Sequence, residues 1–162
     1  MSWPPSVVCM CEPLMMKGSA MSSSVDRDTE ARPADQEVRQ LIERWVGAVQ
    51  AGDIEAVLAR HTEDIVMFDV PPPEDGARGL DAYAATWPPF FEWIRSAARF
   101  ELVELTVVTG DDVGYAWALL RCGKDEDLRA RPDRRLRITF GLRREQEAWA
   151  IAHEHHSFTD TD

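Results

Sequence analysis

Trp149-Ala150-Ile151-Ala152-His153-Glu154-His155-His156-Ser157 places three of the chain's four histidines in one near-terminal stretch with the look of a strand. Strand side chains alternate between faces, so Trp149, Ile151, His153, His155 and Ser157 share one face and Ala150, Ala152, Glu154 and His156 the other. A face carrying Trp, Ile and two imidazoles reads as a pocket wall, and histidine is the side chain that titrates most readily near neutral pH. His153 and His155 are therefore expected to point inward. A bulge before the strand would reverse the faces and send Glu154 and His156 in.

Upstream of this stretch lie three more segments rich in strand formers, residues 134–143, 113–122 and 99–108, with a Gly110-Asp111-Asp112 turn between the first two in chain order and a polar loop through Pro132. Four strands in sequence predict an antiparallel meander. Before them, Val38, Leu41, Ile42, Trp45, Val46 and Val49 recur at helical spacing behind Asp35, a suitable cap. Ala51-Gly52 ends that helix and Asp53 caps a second, carrying Ile54, Val57 and Leu58; His61 after it reads as a solvated C-terminal residue. Residues 65–70 form a strand ended by Pro71-Pro72-Pro73, which places Asp69 at its tip. Residues 80–87 form a short helix stopped by Pro88-Pro89, with the aromatic stretch Phe90-Phe91-Glu92-Trp93-Ile94 behind it. Helices followed by a long meander give an α+β fold in which a curved sheet wraps the helices.

The chain has 162 residues and a net charge of −11, room for one domain and a charge that disfavours nucleic acid and anionic membranes. No apolar run is long enough to span a bilayer, and the start lacks the pattern of a secretory signal, so a cytoplasmic location is expected. Cys9, Cys11 and Cys122 imply no disulfide framework. Residues 1–33 mix Pro, Ser and Met without apolar period and read as a disordered leader, with Met21 as an alternative start; the domain is expected over 34–160. The arginines at 129, 131, 134, 135, 137, 143 and 144 read as solvated strand edges or as an anion-binding rim.

Three stretches resemble the superfamily that contains nuclear transport factor 2 (NTF2), ketosteroid isomerase, the SnoaL-type polyketide cyclases and the association domain of calmodulin-dependent kinase II. They are the helix 45–53 ending in Ala51-Gly52-Asp53, the strand and loop 64–69 followed by Gly79-Leu80-Asp81-Ala82-Tyr83, and the Trp149, His153, His155, Ser157 pattern of the end strand. The resemblance implies an NTF2-like cone, a strongly bent sheet with helices closing a pocket, dimerising through the sheet. It implies no obligate cofactor.

Counted from the Ala-Gly-Asp turn, the proton-shuttling aspartate of ketosteroid isomerase falls on Asp69, its hydrogen-bonding tyrosine on Trp45 and its protonated acid near Ile138. The base is kept and both oxyanion donors are missing, so steroid isomerisation by that mechanism is not implied. His153 and His155 are the groups expected to take over, giving a SnoaL-like isomerase, cyclase or dehydratase acting on a small hydrophobic molecule through Asp69, His153 and His155. Met67, Trp45, Tyr83 and Trp87 are expected in the ligand pocket. Arg121, on the face that also carries Tyr115, Trp117 and Leu119, is a candidate carboxylate-binding group. The plainer readings are a turn role for Asp69 and packing for the histidines and aromatics. A metal would need a third ligand beyond the His-x-His pair, and none is expected. Epoxide hydrolysis would need an Asp-Arg-Asp group that Asp69 and Arg121 do not complete. The alternative of another class is a non-catalytic ligand-binding or oligomerisation domain like the kinase association domain.

Overall fold

The computed structural model describes residues 32–158; the leader and the alternative start at Met21 lie outside them. Helix α1 (Pro33–Ala51) begins at Pro33, whose fixed φ suits a first helical turn. Asp35 is not the cap: its Oδ1 accepts hydrogen bonds from the Thr109 amide at 3.0 Å and hydroxyl at 2.7 Å, tying the helix to the sheet. Gly52, at φ 70, closes α1 in the left-handed conformation, and Asp53 caps α2 (Ile54–Leu58) through the Ala56 amide at 3.0 Å.

Six strands follow in the order β2-β1-β6-β5-β4-β3: β1 (His61–Phe68), β2 (Ala77–Arg78), β3 (Ala98–Thr109), β4 (Val113–Lys124), β5 (Leu136–Glu145) and β6 (Ala148–Phe158). All neighbours are antiparallel except β1 and β6, which run parallel. The polar loop before Pro132 contains a short helix, α4 (Asp125–Ala130). Register slips within the β3–β4, β5–β6 and β1–β6 pairs bend the sheet around the helices. The core lies in the concavity, where Trp45 meets Phe100 and Phe140 edge to face at 5.7 and 5.4 Å.

Pro88 and Pro89 do not stop the third helix. Helix α3 (Leu80–Arg95) runs through both. Tyr83, Trp87, Phe91 and Ile94 form one continuous buried stripe, with the Trp87 and Phe91 rings stacked at 5.7 Å, while both prolines face solvent. Burial of that aromatic stripe outweighs the two backbone donors the prolines remove. No helix among the described residues is long and apolar enough to cross a membrane.

Candidate functional site

The slip in β6 decides which side chains meet. Gly141 of β5 pairs with His153 while Leu142 pairs with Ile151, so Ala152 is the extra residue of a bulge. Alternation is interrupted there, and Trp149 and Ile151 before it share the concave side with Glu154 and His156 after it. The inward placement expected for His153 and His155 is thus overturned. His153 Nδ1 bonds the Val66 carbonyl oxygen at 2.7 Å, His155 is exposed, and both rings edge against Phe68 at 5.3 and 6.0 Å.

Glu154 is fully buried and is met by three donors. His61 Nε2 and the Tyr83 hydroxyl donate to Oε1 at 2.7 and 3.0 Å, and His156 Nε2 donates to Oε2 at 3.0 Å. Tyr83 in turn accepts from Trp45 Nε1 at 3.2 Å. The other face of His156 reaches Asp69: Nδ1 lies 3.1 Å from Oδ1. A carboxylate only accepts, so an imidazole held between two of them carries hydrogen on both nitrogens and is a cation. Burial would lower the pKa of His156, but the bonds to Asp69 and Glu154 raise it to about 9. Burial would likewise raise Glu154, and the bonds from His156 and His61 hold it down at about 2. Tyr83 is pushed well above its ordinary value, by burial and then by the Glu154 charge, and stays a neutral donor. His61 is no solvated helix end. It opens β1 with its side chain 1% exposed.

Asp69 is where this buried chain surfaces. It follows β1, and its Oδ1 also accepts from the Val70 amide at 2.8 Å, the turn role weighed from the sequence. Oδ2 has no hydrogen-bond partner among the described residues. The carboxylate lines a hollow of about 330 Å³ walled by Met67, Trp87, Phe90, Phe100, Leu136 and Phe158. A second lobe of about 480 Å³ beneath the triple proline shares Met67 and Asp69, so Asp69 lies where the two meet. Arg134 sits over the Phe158 ring at 3.6 Å, at the edge of the first lobe. Cys122 lines the same wall, and burial pushes its thiol up to about 12, which leaves it inert.

The remaining expected pocket residues divide. Met67 and Trp87 line the hollow; Trp45 and Tyr83 are buried behind it in the Glu154 network. Arg121 is not in the pocket. The inward positions of β4 are Ala116, Ala118, Leu120 and Cys122, so Arg121 stands exposed on the convex face with Tyr115 and Trp117. Ile138, near which the resemblance put the isomerase's second acid, is fully buried and apolar. His61 was not among the expected site residues, and Glu154 and His156 entered only through the alternative of a bulge, for which Gly141, mid-strand in β5, was a sequence signal.

A bent sheet wrapped around helices, with an apolar hollow and one carboxylate at its waist, is an α+β cone of the NTF2-like class. The SnoaL-like domain model matches residues 38–161, and the chain belongs to that family. Among solved structures, an NTF2-like protein of unknown function from Pseudomonas putida is 37% identical over 76% of this chain and 85% of that one, with a TM-score of 0.65. An NTF2-like protein with a cystatin-like fold from Novosphingobium aromaticivorans is 22% identical, with 80% and 84% covered and a TM-score of 0.64. A ketosteroid isomerase-like protein from Erwinia carotovora atroseptica is 20% identical, with 80% and 99% covered and a TM-score of 0.59. No curated protein matches the chain.

Proposed function

We propose that this SnoaL-like protein binds a small hydrophobic molecule in the cone and acts on it as a cofactor-independent acid/base isomerase, cyclase or dehydratase, with Asp69 taking and returning the proton. The observation that carries this reading is Asp69 itself: one oxygen fixed by His156 and the Val70 amide, the other without a described partner, at the junction of two apolar lobes. A base held in one rotamer beside a bound C–H needs little reorganisation to reach it. His156 and Glu154 are positioning residues in this scheme, in the place first given to His153 and His155. Trp87 contributes its ring to the wall of the hollow, while its indole N–H is buried on the side of the Tyr83 hydroxyl.

The test uses 2-tetralone, an apolar bicyclic ketone with weakly acidic C–H bonds. In D2O the protein is expected to accelerate deuterium uptake next to the carbonyl, and Asp69→Asn to slow that exchange on the order of a hundredfold with an unchanged near-ultraviolet dichroism spectrum. Binding of tetralone without any accelerated exchange would favour the non-catalytic ligand-binding alternative.

The same reading includes a homodimer formed through the convex sheet face. Val103, Val113, Tyr115 and Trp117 are exposed there, with the Tyr115 and Trp117 rings stacked at 5.8 Å. Light scattering is expected to give twice the chain mass, and Trp117→Asp to shift it toward one. A monomeric wild type would remove this part of the proposal.

A further inference from the structure

At the far end of the buried network from Asp69, His61 lines a second cavity of about 190 Å³. Its Nε2 is committed to Glu154, while Nδ1 is buried and has no hydrogen-bond partner. Leaving a buried polar atom unpaired is costly, so a group that completes it is favoured. The cavity walls are mainly apolar, including Leu41, Trp45, Val57 and Ile151, and two exposed arginines, Arg44 and Arg60, complete the lining. Arg60 is anchored: its Nε and one terminal nitrogen donate to the Trp149 carbonyl oxygen at 3.1 and 2.6 Å. A guanidinium fixed in this way is preorganised for an anion.

We propose that this second cavity is a binding site for a short-chain carboxylate, with the alkyl chain against the apolar walls and the carboxylate between His61 Nδ1 and the two arginines. The volume corresponds to about six water-sized atoms at roughly 30 Å³ each, which sets the ligand at about four carbons. The charged and titratable groups around His61 are Glu154 on β6, the Tyr83 phenol stacked on its ring at 4.6 Å, and Arg44 and Arg60 at the cavity. Of these only Glu154 is anionic, and it already accepts from Nε2. A carboxylate at Nδ1 therefore favours the doubly protonated ring, with hydrogen donated to an oxygen on each side. Through Glu154 and His156, the occupant of this cavity is linked to Asp69 by successive contacts of 2.7, 3.0 and 3.1 Å. The site stands independently of any reaction at Asp69.

Sodium butyrate is the probe. Titrated into full-length protein with 15N-labelled histidine, it is expected to shift the His61 ring nitrogens saturably and more than those of His153 or His155, with the Nδ1 signal moving toward the protonated value. Saturation transfer to the butyrate methyl group is expected in wild type and Asp69→Asn, to require at least tenfold more butyrate in Arg44→Gln, and to be absent with 1-butanol as ligand. A His61 signal unmoved by butyrate, an equal response to butanol, or shifts confined to His153 and His155 would overturn the site. The Asp69→Asn arm separates this result from the fate of the acid/base reading, because butyrate binding without tetralone exchange leaves the second cavity standing.

Discussion

Replacing Glu154 by alanine is expected to cost about 3–5 kcal/mol of folding stability, read as the loss of unfolding free energy in urea. The carboxylate is fully buried and accepts from His61, Tyr83 and His156. Its removal strands two donors and leaves His156, a buried cation, with Asp69 as its one remaining carboxylate partner. The magnitude follows from that asymmetry, because breaking a buried ion pair from one side leaves the desolvation cost in place and removes the compensation. Glu154→Gln separates charge from shape. The amide oxygen can still accept from His61 and Tyr83, but its NH2 group faces His156 Nε2, so His156 must give up that hydrogen and accept instead. The amide variant is therefore expected to lose less, about 1–2 kcal/mol, and to lower the His156 pKa. A loss under about 1 kcal/mol in the alanine variant would show that the network contributes little to folding.

The fold was legible in the sequence because its signals were local and mutually consistent. The apolar spacing of α1, the Ala51-Gly52-Asp53 break and four alternating segments after residue 98 each found their counterpart, with ends moved by a few residues. Pro88-Pro89 misled because a local rule met a tertiary one: the stripe Tyr83, Trp87, Phe91, Ile94 buries enough aromatic surface to carry a helix through a break. The site was only half legible. Asp69 could be placed by the triple proline behind it, since three successive residues without an N–H cannot continue a hydrogen-bonded ladder. The histidines could not, because strand parity is conditional on the absence of an inserted residue. One extra residue, Ala152, exchanges the two faces of everything after it. The compensating signal lay on the neighbouring strand, where Gly141 lets the backbone come close: a Cβ there would meet that of His153 at 3.1 Å, a tight contact. His61 was misplaced for a related reason. A polar residue directly after a short helix looks solvated until the partner that buries it is known, and that partner, Glu154, is 93 residues away.

The same network sets a pH dependence whose sign is fixed by its two charged members, Glu154 and His156, an anion and a cation buried together. The His156 pKa is raised in the folded protein from 6.5 to about 9, so its contribution is complete below about pH 6.5 and is lost as pH rises through about 9. Glu154 is lowered from 4.5 to about 2, so its contribution is complete above about pH 4.5 and is lost as pH falls through about 2. Both are present together between about pH 4.5 and 6.5, where stability is expected to peak. From pH 6.5 to 9 the His156 contribution declines by about 3 kcal/mol in all, at roughly 1.4 kcal/mol per pH unit. Tyr83 and Cys122 do not obscure that window. Their pKa values are raised by burial, so they weaken the fold only above the point where the unfolded groups ionise, about pH 9 for the thiol and 10 for the phenol. Urea midpoints measured at half-unit intervals from pH 5 to 9 are expected to fall steadily above 6.5 in the wild type, with the slope largely removed in His156→Gln. A wild-type midpoint that is flat across this range would mean that His156 is not held as a cation between Asp69 and Glu154, and the positioning of Asp69 would then need another cause.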